Sequence, residues 1–166
     1  MPEKPEQRQA SAADIPMLVK HRRRMFEEMA VDQARTYEPG ALDRMEEAYI
    51  EYLRRHLADG SVRAWLARAK GRVVSSAAMT FLAWPPVPSA GSIRVALLHS
   101  VYTLPDHRRR GHARRLVETV IAYCRARNVP WIRLGGPGTD AARSLYESLG
   151  FEPADVMRLD LSAGKK

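Results

Sequence analysis

Ser100-Val-Tyr-Thr-Leu-Pro-Asp-His-Arg-Arg-Arg-Gly-His-Ala113 joins an apolar run to the most regular amphipathic pattern in the chain. The run from Arg94 to Thr103 is rich in Val and Leu and is followed by Pro105, which predicts a strand. From Ala113 to Cys124, apolar residues recur at i, i+3, i+4, i+7, i+8 and i+11, which predicts a helix. The segment between them is therefore predicted to be a turn that opens a helix.

This arginine-rich turn has the pattern of an anion-binding site. Arg108, Gly111 and Ala113 have the spacing R-x-x-G-x-A. The first N–H groups of a helix have no partner within the helix, and the helix dipole favours an anion beside them. Gly111 permits close approach of the backbone, and the arginines add charge for phosphate oxygens. A pyrophosphate is the expected occupant, although three arginines before a helix also form an ordinary solvated face.

The residues after this helix predict a short parallel strand, a short helix and a final strand. Trp131–Leu134 is apolar enough for a buried parallel strand, and GGPG at 135–138 is a turn. Ala141–Leu149 has a helical pattern, with Gly150 as its C′ residue. Met157–Leu161 alternates between apolar and polar residues, which indicates a terminal strand.

The residues before the turn predict two helices and a hairpin. Asp14 is the expected N-cap of the first helix, whose apolar stripe is interrupted by Arg22. The second helix spans Ala41–Leu57. Val62–Ala69 and Val73–Leu82 form a hairpin across Lys70-Gly71, and the proline-rich stretch at 84–92 is a loop. The predicted order along the chain is two helices, then strands, then strands that alternate with helices. This order indicates a mixed α/β fold with one crossover unit.

Length and composition are those of one globular domain. The 166 residues are 45% hydrophobic and 28% charged, and no apolar run approaches the length of a membrane span. We expect a flexible leader at 1–10, one domain at 11–161 and a flexible tail at 162–166. Cys124 is the single cysteine, and 1–10 lacks the apolar segment of a signal peptide, so a cytoplasmic location is expected. The +8 charge is compatible with nucleic acid, an anionic membrane surface or a phosphorylated ligand.

Two motifs resemble the GCN5-related N-acetyltransferase (GNAT) superfamily, in its small bacterial form. The segment at 100–113 is similar to motif A, Q/R-x-x-G-x-G/A after a strand. Ala142-Arg-Ser-Leu-Tyr-Glu-Ser-Leu-Gly-Phe151 is similar to motif B, A-x-x-L-Y-x-x-x-G-F. The motifs occur in the family's order and at its spacing. The resemblance implies a mostly antiparallel central sheet with a splayed strand pair and helices on both faces.

The resemblance also implies transfer of acetyl from acetyl-CoA to a primary amine by direct attack, without a metal. In the family, the pantetheine arm pairs with the splayed strand and the pyrophosphate lies over the motif A amides. The cofactor-binding residues carried over are Val101, Tyr102, Thr103, Arg108, Arg109, Arg110, Gly111, His112, Ala113 and Thr139. Thr139 stands where the family commonly has Asn, and Ser100 stands where many members have Asn before Val-Tyr-Thr.

The candidate catalytic residues are Tyr146, Glu28 and His99. Tyr146 occupies the motif B tyrosine position, which implies a general acid for the departing sulfur. The acceptor amine must lose a proton before it attacks, and Glu28, His99 and water are alternative acceptors of that proton. Cys124 lies on the apolar stripe of its helix, which disfavours a covalent acyl-cysteine mechanism.

Other functions remain open from the sequence. A CoA-binding regulator without turnover would keep the same fold. A basic nucleic-acid-binding module is a further alternative, although no helix-turn-helix, RRM or zinc signature is present. No membrane partner is expected, and a homodimer is left open. The features that could serve nucleic acid are HRRR at 21–24, RR at 54–55, RRR at 108–110 and the aromatic rings of Trp65, Trp84 and Trp131.

Overall fold

Five strands form one sheet in the order β1-β2-β3-β4-β5. The computed structural model describes residues 6–91, 93–154 and 156–161. The strands are β1 (Glu6–Gln9), β2 (Val62–Ala69), β3 (Arg72–Trp84), β4 (Ile93–Thr103) and β5 (Ile132–Leu134). The helices are α1 (Ile15–Asp32), α2 (Ala41–Asp59), α3 (His112–Arg125) and α4 (Asp140–Ser148). Strands β1 to β4 pair antiparallel and β5 pairs parallel to β4, which confirms the mixed, mostly antiparallel sheet.

Helices cover both faces of the sheet because side chains alternate along its strands. Leu66 packs with α1 and α2 in one apolar core. Its neighbours Trp65 and Ala67 pack in the other core, with α3 and the end of α4. One face therefore carries α1 and α2, and the opposite face carries α3 and α4.

The predicted hairpin has a two-residue turn. Lys70 and Gly71 have φ of +49° and +73°, the left-handed pair that a tight hairpin turn requires. The final helix ends as predicted: Gly150 has a φ of +89°, and the N–H of Phe151 donates to the carbonyl of Tyr146 at 3.0 Å.

Part of the predicted leader at 1–10 is a strand instead. Glu6–Gln9 form β1, which pairs with Arg68 to Trp65 of β2. The prediction was wrong here because backbone pairing at a sheet edge does not need apolar side chains. Arg8 also donates to both carboxylate oxygens of Asp14, at 2.7 Å each, and so fastens β1 to the start of α1. Residues 1–5 and the predicted tail at 162–166 lie outside the described residues.

The predicted terminal strand at 157–161 is absent. These residues form no strand, and Met157, Leu159 and Leu161 are at least 81% exposed. Alternation places the apolar residues on one face, but a strand forms only when it pairs with a neighbour, and this segment pairs with none of the described strands.

Candidate active site

The site begins where β4 and β5 separate. The pairing of the two strands begins with Ala96 opposite Ile132 and ends with Leu98 opposite Leu134. There β5 ends, while β4 continues to Thr103. From His99 to Thr103, β4 therefore has no strand neighbour on its β5 side within the described part of the chain. Alternate N–H and C=O groups on that side are able to pair with an extended ligand.

A β-bulge lies at the point of separation. The β3–β4 register shifts so that Ser100 and Val101 together oppose Ala77. Ser100 has a φ of +55°, which is uncommon for a residue other than glycine. Three side chains surround its hydroxyl: Arg22 donates to Ser100 Oγ at 2.6 Å, His99 Nδ1 lies at 3.0 Å, and Tyr49 Oη lies at 3.3 Å. A bulge bends the strand that carries it and interrupts the regular pairing, here at the point where β4 loses its β5 neighbour.

The turn before α3 presents a run of backbone donors. Within the described residues, the N–H groups of Arg109 to Ala113 donate to no acceptor. Arg109 and Gly111 have φ of +58° and +78°, and alternation of this kind curves successive N–H groups into a concavity that suits an anion. Arg115 lies over this turn and donates to the carbonyl of Arg110 at 3.0 Å. The sequence reasoning did not single out Arg115.

The imidazole of His112 contributes little to this concavity. It is 5% exposed and lies near His107, with the ring centroids 6.0 Å apart. Burial, followed by the nearby Arg115 charge, lowers the pKa of His112. The side chain of His112 therefore packs neutral inside, and its backbone N–H is the group on the anion side.

Arg108 and Glu28 hold each other in place. The carboxylate of Glu28 accepts hydrogen bonds from Arg108 and, at 2.7 Å, from the hydroxyl of Tyr102. Arg108 Nε also donates to the carbonyl of Thr103 at 3.0 Å. Burial and the Glu28 hydrogen bond raise the pKa of Tyr102 to about 12. Glu28 thus links α1 to β4 and to the turn, and its charge is already balanced by Arg108.

His99 is engaged through both ring nitrogens. Nδ1 contacts Ser100, and Nε2 lies 2.9 Å from Thr80 Oγ1, which in turn lies 2.6 Å from Tyr52 Oη. Burial and, to a smaller degree, the Arg22 charge lower the pKa of His99 to about 4. The imidazole is therefore neutral near pH 7 and is a weak base.

Tyr146 has a packed ring and an unpaired hydroxyl. Its ring meets Phe151 edge-on, with centroids 5.5 Å apart, and packs against the same core as Val101. The hydroxyl makes no hydrogen bond within the described residues. Burial raises the pKa of Tyr146 to about 12, which keeps the phenol protonated at neutral pH. The arrangement suits a proton donor.

Thr139 and Cys124 have structural contacts. Thr139 is the N-cap of α4, and its hydroxyl oxygen accepts from the N–H of Ala142 at 3.2 Å. Cys124 is 2% exposed and lies 3.5 Å from the sulfur of Met79. Burial raises the pKa of the Cys124 thiol, and a thiol is a poorer nucleophile than a thiolate.

A parallel strand pair that separates beside a helix N-terminus with free N–H groups is the arrangement that the resemblance to the GNAT superfamily implies. The chain belongs to the Acetyltransferase (GNAT) family, whose model matches residues 24–151. No curated protein sequence matches the chain. Among residues 6–91, 93–154 and 156–161, no helix is long and apolar enough to cross a membrane.

Solved structures share this fold. A predicted acetyltransferase from Clostridium acetobutylicum, crystallised with acetyl-CoA, is 23% identical with a TM-score of 0.85, over 98% of this chain and 100% of that one. A GCN5-related N-acetyltransferase from Ralstonia eutropha is 24% identical with a TM-score of 0.83, over 96% and 99%. An aminoglycoside acetyltransferase from an uncultured soil metagenomic sample is 20% identical with a TM-score of 0.68, over 95% and 97%. At these identities the likeness concerns the fold.

Proposed function

We propose that the protein is an N-acetyltransferase that moves an acetyl group from acetyl-CoA to a primary amine by direct attack. The observation that carries the proposal is the run of free N–H groups from Arg109 to Ala113 beside the open edge of β4. These donors suit a pyrophosphate, and the edge at Val101–Thr103 suits an extended arm that pairs with backbone. Acetyl-CoA has both parts and supplies the acetyl group as a thioester. Its presence in the Clostridium acetobutylicum structure supports the proposal.

The backbone beside the bulge is the proposed donor to the thioester oxygen. Attack by an amine places negative charge on that oxygen, and fixed backbone N–H groups stabilise such charge without reorganising. The bulge at Ser100 and Val101 turns the backbone at the point where β4 loses its neighbour. Contacts from Arg22, Tyr49 and His99 to the Ser100 hydroxyl hold this conformation in place.

Water is the proposed immediate acceptor of the amine proton. Glu28 is already bonded to Arg108 and Tyr102, so it is poorly placed to act as a free base. His99 has a pKa of about 4, so the imidazole holds a proton only briefly at neutral pH. The hydrogen bonds from Ser100 through His99 to Thr80 allow His99 to pass on a proton that water delivers.

Tyr146 is the proposed acid. Its hydroxyl has no partner within the described residues, and burial, which raises its pKa to about 12, keeps it protonated, so that it is present as a donor when the thiolate departs. An unpaired hydroxyl at the motif B tyrosine position favours the enzyme over a regulator without turnover.

Two of the arginines and one of the rings that could serve nucleic acid have partners within the protein. Arg23 contacts the carboxylates of Glu27, Asp43 and Glu46 at 2.9, 2.7 and 2.7 Å. Arg108 is paired with Glu28. The ring of Trp65 is buried. Arg23, Arg108 and Trp65 are therefore engaged within the protein itself, which disfavours the nucleic-acid alternative.

Release of free CoA thiol from acetyl-CoA across a panel of amines tests the function. We expect release that depends on the amine and rises with pH as the amine deprotonates. Calorimetric binding of acetyl-CoA accompanies the screen. Binding without release for any amine would support the regulator, and absence of binding would refute the assignment of the site.

A further inference from the structure

Arg22 is a partly buried cation to which the described part of the chain supplies no acidic partner. It lies on α1, where it interrupts the apolar stripe. Within the described residues it forms no ion pair, and its one hydrogen bond runs from Nη1 to Ser100 Oγ at 2.6 Å. Its Nε atom is buried and has no hydrogen-bond partner. A guanidinium has five N–H donors, so most of its capacity is unused.

Aromatic rings hold this guanidinium in one position. Its central carbon lies 4.6 Å from the ring centroid of Tyr49 and 5.0 Å from that of Phe26. Contact with two ring faces stabilises the cation and orients its plane without neutralising its charge. The unused donors are therefore fixed in direction, as in a site organised before its ligand arrives.

Two other arginines near Arg22 are paired with carboxylates. Arg23, the next residue on α1, contacts three carboxylates. Arg108 in the turn before α3 is paired with Glu28. Arg22 differs from both, because its surroundings contain aromatic rings and a serine hydroxyl in place of an acid.

The position of Arg22 places it beside the proposed reaction centre. Its hydrogen bond ends on Ser100, the bulge residue at the point where β4 loses its β5 neighbour. An acceptor amine that approaches a thioester at this edge brings its nearest substituents close to the guanidinium. A carboxylate one or two bonds from the amine would meet the unused donors of Arg22.

We infer that Arg22 binds a carboxylate of the acceptor, so that the substrates are amino acids that carry the carboxylate close to the reacting amine. The inference rests on the proposed function. In the reaction, the amine nitrogen forms a bond to the acetyl carbon and loses a proton to water. The carbon–sulfur bond breaks, and the thiolate takes the proton of Tyr146, which water restores. Arg22 stays charged throughout and positions the acceptor.

Matched acceptors test the inference. The kcat/KM for thiol release is measured with L-amino acids, with the corresponding amino acid amides and with the decarboxylated amines. In parallel, calorimetry measures binding of N-acetyl-L-amino acids and their amides to CoA-saturated protein, which needs no turnover. We expect the carboxylates to be preferred by roughly 30-fold or more, mainly through KM.

Variants of Arg22 connect the preference to this residue. Arg22→Met keeps the apolar stem over the rings and removes the charge, so it should abolish the preference. Arg22→Lys should restore part of it, because an ammonium lacks the planar pair of donors. Arg54→Met removes an exposed arginine of α2 and should keep the full preference. Unchanged acetyl-CoA affinity shows that each variant is folded.

The outcomes separate this inference from the function on which it rests. Thiol release that is equal for acids and amides would overturn the carboxylate site and leave the acetyltransferase in place. No thiol release, with Arg22-dependent binding of N-acetyl amino acids, would support the carboxylate site and overturn the activity. A preference that persists in a folded Arg22→Met variant would refute the role of Arg22.

Discussion

Tyr146 combines a ring held by packing with a hydroxyl that no described residue engages. The ring contributes to the core through Phe151, whereas the hydroxyl contributes nothing to it. The two parts of the side chain are therefore separable by mutation. This separation makes the proposed acid role testable without loss of the fold.

Tyr146→Phe should lower kcat about a hundredfold and leave acetyl-CoA affinity nearly unchanged. General acids typically contribute about 10²–10⁴-fold, and a CoA thiolate leaves tolerably even without a proton, so we expect the lower end. Steady-state and single-turnover rates with calorimetric affinities measure the effect. If Tyr146→Phe turns over at the wild-type rate while the chemical step limits turnover, Tyr146 acts in packing and not as the acid.

At the scale of the element, the start of α3 is the feature on which ligand binding depends. Gly111 has a φ of +78°, and a Cβ added there would lie 2.9 Å from Arg115 Nη1. Any larger residue therefore strains the turn and displaces the Arg115 guanidinium. A negative charge would in addition repel a phosphate held by the same N–H groups.

Gly111→Glu should abolish measurable acetyl-CoA binding, and Gly111→Gln is its matched control. Both variants add the same bulk and the same backbone strain, so their difference isolates the charge. We expect Gly111→Gln to bind weakly and Gly111→Glu to bind roughly tenfold more weakly still or not at all. Calorimetry on variants with a wild-type circular dichroism spectrum measures both. If Gly111→Glu binds acetyl-CoA with wild-type affinity, the assignment of the pyrophosphate to this turn is refuted.

At the scale of the whole molecule, His21 connects α1 to the sheet. It is 1% exposed, its Nδ1 lies 2.8 Å from Ser76 Oγ, and its ring lies 5.2 Å from that of Tyr102. Burial, followed by the charges of Arg24 and Lys20, lowers the pKa of His21 to about 4 from an ordinary value of 6.5. The folded protein therefore keeps this imidazole neutral at a pH where the unfolded chain protonates it.

Stability should fall as the pH drops from 6.5 towards 4. In that range the unfolded chain binds more protons than the folded protein, so the free energy of unfolding rises with pH. The contribution of His21 to it is fully present above pH 6.5. His21 alone should contribute a loss of about 2 kcal/mol between pH 7 and pH 5. His99, whose pKa is also lowered to about 4, acts in the same direction.

Urea unfolding at several pH values, for the wild type and for His21→Gln, measures this contribution. The variant should show a shallower dependence between pH 7 and pH 5, because it has no proton to bind at this position. An equal dependence in the two proteins would show that His21 is protonated to the same extent in the folded and unfolded states.

The sequence by itself determined the elements whose signals are local. The periodicity from Ala113 to Cys124 predicted α3 to within a residue or two, and Lys70-Gly71 predicted the hairpin turn. These signals are short-range, because helical and strand periodicity and turn dihedrals depend on a few adjacent residues. The motif residues likewise predicted a helix that begins beside Gly111, where the structure has it.

Only the tertiary structure decided which groups become partners. Glu28 meets Arg108 across 80 positions, and Arg22 meets Ser100 across 78. The polar residues at 6–9 pair with β2, whereas within the described part of the chain the alternating residues at 157–161 pair with no strand. The residues next to Glu28 in the sequence do not predict that Arg108 pairs with it. Nor do the residues next to Arg22 predict that it has no ion pair within the described residues. Local pattern sets dihedral angles and faces, but pairing and charge balance depend on residues that only the folded chain brings together.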